Sequence, residues 1–149
     1  MSRPKLRLVL LLVLVSLSGF ALWVWLRPYQ WDPAPAARCR VVVAQVKQDR
    51  SYYWLDLHLR PVEGESHDLM KQVRLRLADG REIEPADTTL GGSPQSGITD
   101  LWFKFWLEPA DFAGPLHLRI NDGKLRVRSG SGVPRLGRSG AELFPTSNW

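Results

Sequence analysis

Through residues 51–60 apolar and polar side chains alternate without a break. Tyr53, Leu55, Leu57 and Leu59 fall on one phase, and Trp54, Asp56, His58 and Arg60 on the other. A period of two places successive side chains on opposite faces of a strand, so this segment reads as a strand with one buried face. Residues 72–78 repeat the pattern, with Val73, Leu75 and Leu77 inward and Arg74 and Arg76 outward. So do residues 100–108, where Leu101, Phe103, Phe105 and Leu107 face in and Trp102, Lys104 and Trp106 face out. Residues 38–47 form a Val-rich strand. Asp79-Gly80 is a tight-turn dipeptide leading to a short strand at 81–84 closed by Pro85, and Asp122-Gly123 joins strands at 116–121 and 124–128.

Seven short strands with a turn signal every 8–12 residues or so predict an immunoglobulin-like antiparallel β-sandwich, with a small β-barrel as the alternative. The paired cysteines of antibody domains are missing, because Cys39 is the only cysteine. The likeness is therefore one of architecture, which carries no function with it. Between residues 107 and 116 the sequence Glu-Pro-Ala-Asp-Phe-Ala-Gly-Pro reads as one helical turn crossing between sheets, with Phe112 closing the end of the core.

Ahead of the strands the pattern changes. Residues 8–26 carry no charge, and Ser16 and Ser18 are their only polar members. As a helix they would reach about 28 Å, close to the hydrocarbon thickness of a bilayer. Arg3, Lys5 and Arg7 precede the run, and Trp23, Trp25, Tyr29 and Trp31 gather at its far end, where amphipathic rings suit a membrane–water interface. A cleaved signal peptide begins the same way. However, its apolar core is usually about 7–15 residues long, and the one small-residue site, Ala34-Pro35-Ala36, lies behind Arg27, Pro28 and Trp31. Arg38 before Cys39 excludes a lipoprotein site. The expected organisation is a basic cytoplasmic stub at 1–7, a transmembrane signal anchor at 8–26 and a Pro-rich interfacial linker at 27–37. A β-sandwich at 38–129 and a Gly/Ser/Pro-rich tail at 130–149 complete it. The positive-inside rule puts the C-terminal domain in the exported compartment, across a bacterial-type inner membrane.

The formal charge of +5 invites a nucleic-acid reading that its distribution removes. Once Arg3, Lys5, Arg7, Arg27 and Asp32 are set aside, residues 38–149 hold 16 of the 20 cations against 14 of the 15 acids, a balance of +2. No clustered basic stretch of a nucleic-acid binder is visible along the chain. Two segments break the strand rhythm. Residues 86–99 read as a long Gly/Ser/Thr-rich loop. Residues 130–149 carry Val133, Leu136, Leu143, Phe144 and Trp149, too many large apolar groups for a solvated tail, so part of it is expected to pack on the domain.

Candidate chemistry is sparse. His58 and His117 sit on outward positions of separate strands, and His67 lies in a polar loop and reads as solvated. They do not match the ligand spacing of a zinc site, and neither a cofactor nor a metal is expected. Gly91-Gly92-Ser93-Pro94-Gln95 lacks the second glycine of a nucleophile elbow. The departure from expectation is aromatic. Trp54, Trp102 and Trp106 fall on outward phases, where with Arg74 and Arg76 they would form a Trp/Arg partner-binding face, since Trp and Arg dominate interface hot spots. The competing reading has the tail cover these rings as a second small core, and that cover is the expectation. The expected role is a non-catalytic binding or accessory module, held to the lipid bilayer by residues 8–26 and contacting an envelope protein partner. The alternative is an accessory subunit docking through its helix, where Ser16, Ser18 and Gly19 permit close approach. An envelope enzyme is the third reading.

Overall fold

The alternation written into the sequence becomes two antiparallel sheets facing each other. The structure, a computed structural model, describes residues 3–29 and 34–149. It begins with helix α1 (Arg3–Trp25). The strands are β1 (Cys39–Asp49), β2 (Tyr52–Pro61), β3 (Arg74–Arg76), β4 (Glu82–Ile83), β5 (Asp87–Ser93), β6 (Gly97–Leu107), β7 (Leu116–Ile120), β8 (Gly123–Arg128) and β9 (Ala141–Phe144). One sheet has the order β5-β6-β2-β1-β9 and the other β4-β3-β7-β8.

The inward phases meet in one core. Leu55, Leu57, Leu59, Leu101, Phe103, Phe105 and Leu107 of the five-stranded sheet face Leu75, Leu116, Leu118, Ile120 and Val127 of the other, all of them buried. Stacked sheets of this kind lie about 10 Å apart, a gap that interdigitating leucines and phenylalanines fill. A 3-10 turn at Pro109–Phe112 carries the chain from β6 to β7. Glu108 and Asp111 cap it reciprocally, and Phe112 is fully buried at the end of the core, its ring 5.3 Å from that of Tyr53 in an edge-on contact.

Nine strands stand among the described residues where the sequence suggested seven, and both additions are edge strands. The segment read as a loop at 86–99 is β5, a turn and the start of β6. Its inward/outward alternation was hidden because six of the seven β5 residues are exposed, so hydrogen bonds to β6 rather than burial make it a strand. A register shift between Gly91 and Gly92 bends it. Gly92 has φ +148, and a Cβ there would fall 1.9 Å from the carbonyl oxygen of Gly97. The second addition, β9, pairs Ala141–Phe144 with Lys47–Ala44 of β1.

Helix α1 starts five residues before the expected boundary, so Lys5 and Arg7 belong to its first turns. Basic side chains are good helix formers and do not end a helix. From Pro4 to Trp25 it is long and apolar enough to cross a membrane, and none of that stretch is buried against the domain. The expected linker is not a free spacer in its described parts. Tyr29 is buried and donates to the carbonyl of Val127, Ala37 is buried, and the Asp122 N–H donates to the carbonyl of Ala36 at 3.2 Å. Residues 30–33, which include Trp31 of the expected aromatic girdle, lie outside the described residues.

Candidate interaction face

Cross-strand register builds the outward surface of the five-stranded sheet row by row. One row runs Trp106–Trp54–Lys47, the next Asp87–Lys104–Asp56–Gln45, and the next Thr89–Trp102–His58–Val43. Side chains directly opposite on neighbouring strands are about 5 Å apart, which is the spacing at which rings stack. Trp54 lies nearly parallel to Trp106 at 6.0 Å between centroids, and Tyr52, two residues earlier on β2, meets Trp106 at 4.7 Å with its ring tilted. Lys104 places its ammonium 5.4 Å from the Trp54 ring and 4.0 Å from Asp56. The Trp54 indole N–H donates to Asp49 at 3.3 Å.

Two rows along, His58 stacks on Trp102 at 4.8 Å with the planes 9° apart. The carboxylate of Asp100 binds His58 Nε2 at 2.8 Å, accepts from Arg60 Nε at 2.9 Å and from the Thr99 hydroxyl at 3.0 Å. Hydrogen bonds from Arg60, then His58, then Thr99 stabilise its charged form and bring its pKa down to about 2. Gly91 leaves room for the indole, because a Cβ there would stand 3.0 Å from the ring of Trp102.

The expected Trp/Arg face is divided by this geometry. Trp54, Trp102 and Trp106 share the outer surface of the five-stranded sheet, whereas Arg74 and Arg76 lie on β3 in the other sheet. Alternation placed all five outward correctly; the error lay in joining two strands across a sandwich that separates them. On the four-stranded sheet the register lines up Arg74–Arg119–Lys124 and Arg76–His117–Arg126. Glu82 answers Arg119 and Arg74, and Glu84 answers Arg74. Arg76, Lys124 and Arg126 form no ion pair with a described carboxylate. Burial first, and then Lys124, Arg126 and Arg76, push the His117 pKa below its ordinary value. The absence of a basic stretch in the sequence therefore coexists with a basic face assembled from three strands.

The expected tail cover is overturned as well. The tail adds β9 beyond β1, at the edge opposite β5 and β6, so Trp102 and Trp106 stay 37 % and 51 % exposed. It packs elsewhere. Phe144 stacks on Trp149 at 4.5 Å, and the Trp149 indole N–H donates to the Tyr29 hydroxyl at 2.8 Å. Arg128, almost wholly buried, donates to the main-chain oxygens of Trp149, Phe112 and Gly132, with the Phe112 and Trp149 rings 5.4 and 5.1 Å from its guanidinium carbon.

His67 is not the solvated loop residue the sequence suggested. It is buried, hydrogen-bonded to Asn121 at 3.0 Å and edge-on to Phe103. Cys39 is buried and desolvation pushes its pKa up to about 11, which keeps it a thiol. No group of three or more His, Cys, Asp or Glu able to hold a metal ion occurs among the described residues. Sequence reasoning missed Tyr52, His58, Arg60 and Asp100 as members of the face. Their signal was the shared outward phase of two strands that the sequence alone could not place side by side. Compared with protein-family models, curated proteins and solved structures, the chain matches none.

Proposed function

We propose that this chain is a single-pass, membrane-anchored envelope protein whose exported β-sandwich is a non-catalytic binding module. Its partner contact is centred on the outward face that carries Trp54, Trp102 and Trp106. The observation that carries the reading is the exposure of Trp102 and Trp106, with Trp54 half-buried beside Trp106 and Lys104, on a sheet whose tail pairs at the opposite edge. Exposed tryptophans beside arginine, lysine and carboxylates have the composition of an interface hot spot.

The strand orders support the finer assignment of an immunoglobulin-like fold. Lettered in chain order, β1, β2, β6 and β5 take the places of A, B, E and D in one sheet, and β3, β7 and β8 those of C, F and G in the other. β4 then extends the second sheet and β9 the first. A signal sequence meets the same criteria of length and apolarity as α1. The hydrogen bonds from Tyr29 to Val127, from Trp149 to Tyr29 and from Asn148 to the carbonyl of Trp25 favour retention, since they tie the chain at the end of α1 into the domain.

Two measurements test the proposal. Gln95→Cys, in the exposed β5–β6 turn, should react with a membrane-impermeant maleimide in intact cells, while the parent chain with only the buried Cys39 stays unlabelled. Labelling only after lysis overturns the orientation, and a mature mass lacking α1 overturns the anchor. A photo-crosslinking residue at Thr89, beside Trp102, should yield a discrete product that Trp102→Ala removes and that the same probe at Lys124 does not give. Equal products from both sheets, or none, overturn the assigned face.

A further inference from the structure

We infer that the end of the sandwich nearest α1 is a seat for phospholipid headgroups, with a tryptophan row on one sheet and a cationic row on the other at the same level. This inference rests on the reading of α1 as a retained anchor. It leaves the Trp102 end of the face for a partner.

The hydrogen bonds locate the membrane-facing end. The helix carbonyl of Trp25 accepts from Asn148, and four residues later Tyr29 is held against Val127 of β8 and the Trp149 indole. From there the chain passes to Ala36 and Ala37 at the opposite end of β8, beside Asp122 and Asn121, before β1 runs back. The helix therefore meets the domain where β8 finishes, and its full exposure means that it projects away from the domain rather than along it. The β1–β2 turn and the 3-10 turn at Pro109–Phe112 belong to this end, because Arg128 Nη1 donates to the carbonyl of Phe112 at 3.1 Å and Phe112 packs on Tyr53.

Two rows flank that junction. Trp54 pairs with Trp106 one position from the Tyr53–Leu107 pair, with Tyr52 leaning on Trp106. A shallow hollow of about 270 Å³ opens among Asp49, Arg50, Tyr52, Trp54 and Trp106. On the other sheet, His117 pairs with Arg126 next to the Leu116–Arg128 pair, and Arg76 completes the row. Indoles partition to the headgroup layer because they offer apolar area and one N–H donor. Cations near an anionic leaflet are attracted to it, within about a Debye length of the surface. A bilayer crossed by α1 supplies both environments at the level where these side chains stand. It also accounts for Arg126, which faces His117 with no described carboxylate in an ion pair with it, while Arg76 on the other side of His117 faces Glu82, which also pairs with Arg74 and Arg119.

The test uses the full chain labelled with 5-fluorotryptophan in nanodiscs of phosphatidylcholine and phosphatidylglycerol doped with headgroup spin-labelled lipid. Single Trp→Phe variants assign the resonances. Trp23 and Trp25 should broaden most, Trp54 and Trp106 should lose most of their intensity, and Trp102, roughly 13 Å further along β6, should keep several-fold more. The double variant Arg76→Gln/Arg126→Gln should sharpen Trp54 and Trp106 in these discs while leaving their chemical shifts, and hence the fold, unchanged. Trp54 and Trp106 as sharp as Trp102 would overturn the seat, and so would broadening that the double variant does not alter. Broadening at Trp23 and Trp25 alone keeps the anchor and removes only the seat. Loss of α1 from the mature chain in cells is read separately by mass and concerns the anchor.

Discussion

On the outer surface of the five-stranded sheet neighbouring strands attract one another. Trp54 stacks on Trp106, His58 on Trp102, Lys104 approaches Asp56, and Arg60 shares Asp100 with His58. On the outer surface of the four-stranded sheet Arg119 stands between two like charges, Arg74 and Lys124, and His117 stands between Arg76 and Arg126, while Arg76 alone of these has a carboxylate, Glu82, as a register partner. Like charges facing each other across strands are destabilising, whereas aromatic and opposite-charge pairs contribute roughly 0.2–1 kcal/mol each. The first surface is explained by the stability of the domain. The second gains less from its register, because Lys124 and Arg126 have no described carboxylate in an ion pair and Glu82 is shared among Arg74, Arg76 and Arg119. The contrast also shows why a charge count is a weak guide to a surface. A balance of +2 over residues 38–149 conceals a face on which only Glu82 and Glu84 answer the cations.

The comparison assumes that the inward phase carries the fold and that the outward phase is free to vary, and the largest expected effect tests that assumption. Phe105→Ala should destabilise the domain by roughly 3–5 kcal/mol through a lost ring and a residual cavity. Lys104→Ala, its neighbour on the outward phase, should stay within about 0.5 kcal/mol. Denaturant unfolding of the two variants measures both, and equal losses would break the division of faces.

Arg128 comes next, because it is the outward rule's exception. It ends β8 yet is almost wholly buried, and its donors satisfy three main-chain oxygens that close the tail onto the domain. Arg128→Met keeps much of the stem and removes those donors. Leaving buried carbonyls unpaired should cost roughly 2–3 kcal/mol. The loss should also release the tail, visible as faster amide exchange at Gly130 and Gly132, whose N–H groups bond the carbonyls of Trp149 and Phe112. Slow exchange at both amides in the variant would show that β9 alone holds the tail.

What the sequence disclosed follows the same division. Strands with one buried face declared themselves, since Leu55, Phe105 and Leu118 recur at period two with polar residues between. β5 did not, because an edge strand with exposed Thr88, Thr89 and Leu90 has no buried phase to reveal it. β9 was obscured by its glycine-rich surroundings. Within the site, alternation put each tryptophan and arginine on the correct side of its own strand. Which strands are neighbours is set by long-range pairing, and neither the separation of Trp102 from Arg76 nor the union of Asp100 with His58 is written locally.

A smaller effect sharpens the attractive face. Asp100 titrates at about 2, well under the ordinary carboxylate value near 3.9. A depressed carboxylate stabilises the fold fully above its unfolded pKa, and that contribution fades as pH falls through the folded value. The loss should therefore lie between about pH 4 and 2. Arg60→Ala removes the leading cause and should move the Asp100 midpoint, followed by carboxyl NMR, back toward the ordinary range. An unmoved midpoint would mean that His58 and Thr99 suffice.

The smallest effect bears most directly on the repulsive face. Arg126→Glu replaces a cation opposite His117 with an anion, so the cross-strand neighbour changes from one that disfavours the protonated imidazole to one that favours it. The gain should be a few tenths of a kcal/mol, reduced by solvent because both side chains reach water. The imidazole is the better reporter. His117 is held below its ordinary pKa partly by Arg126, so it stays neutral in the fold at a pH where an unfolded histidine, near 6.5, is protonated. A depressed histidine favours folding above the unfolded pKa and loses that contribution as pH falls through it. Arg126→Glu should raise the His117 midpoint in a ring-proton titration and flatten the stability profile between about pH 7 and 5. A stabilised variant that has also lost the lipid-headgroup broadening at Trp54 and Trp106 would show that the unfavourable row is kept for the membrane. A variant no more stable than the parent, with the His117 midpoint unmoved, would mean that burial alone sets that histidine and that the two faces differ less than their register implies.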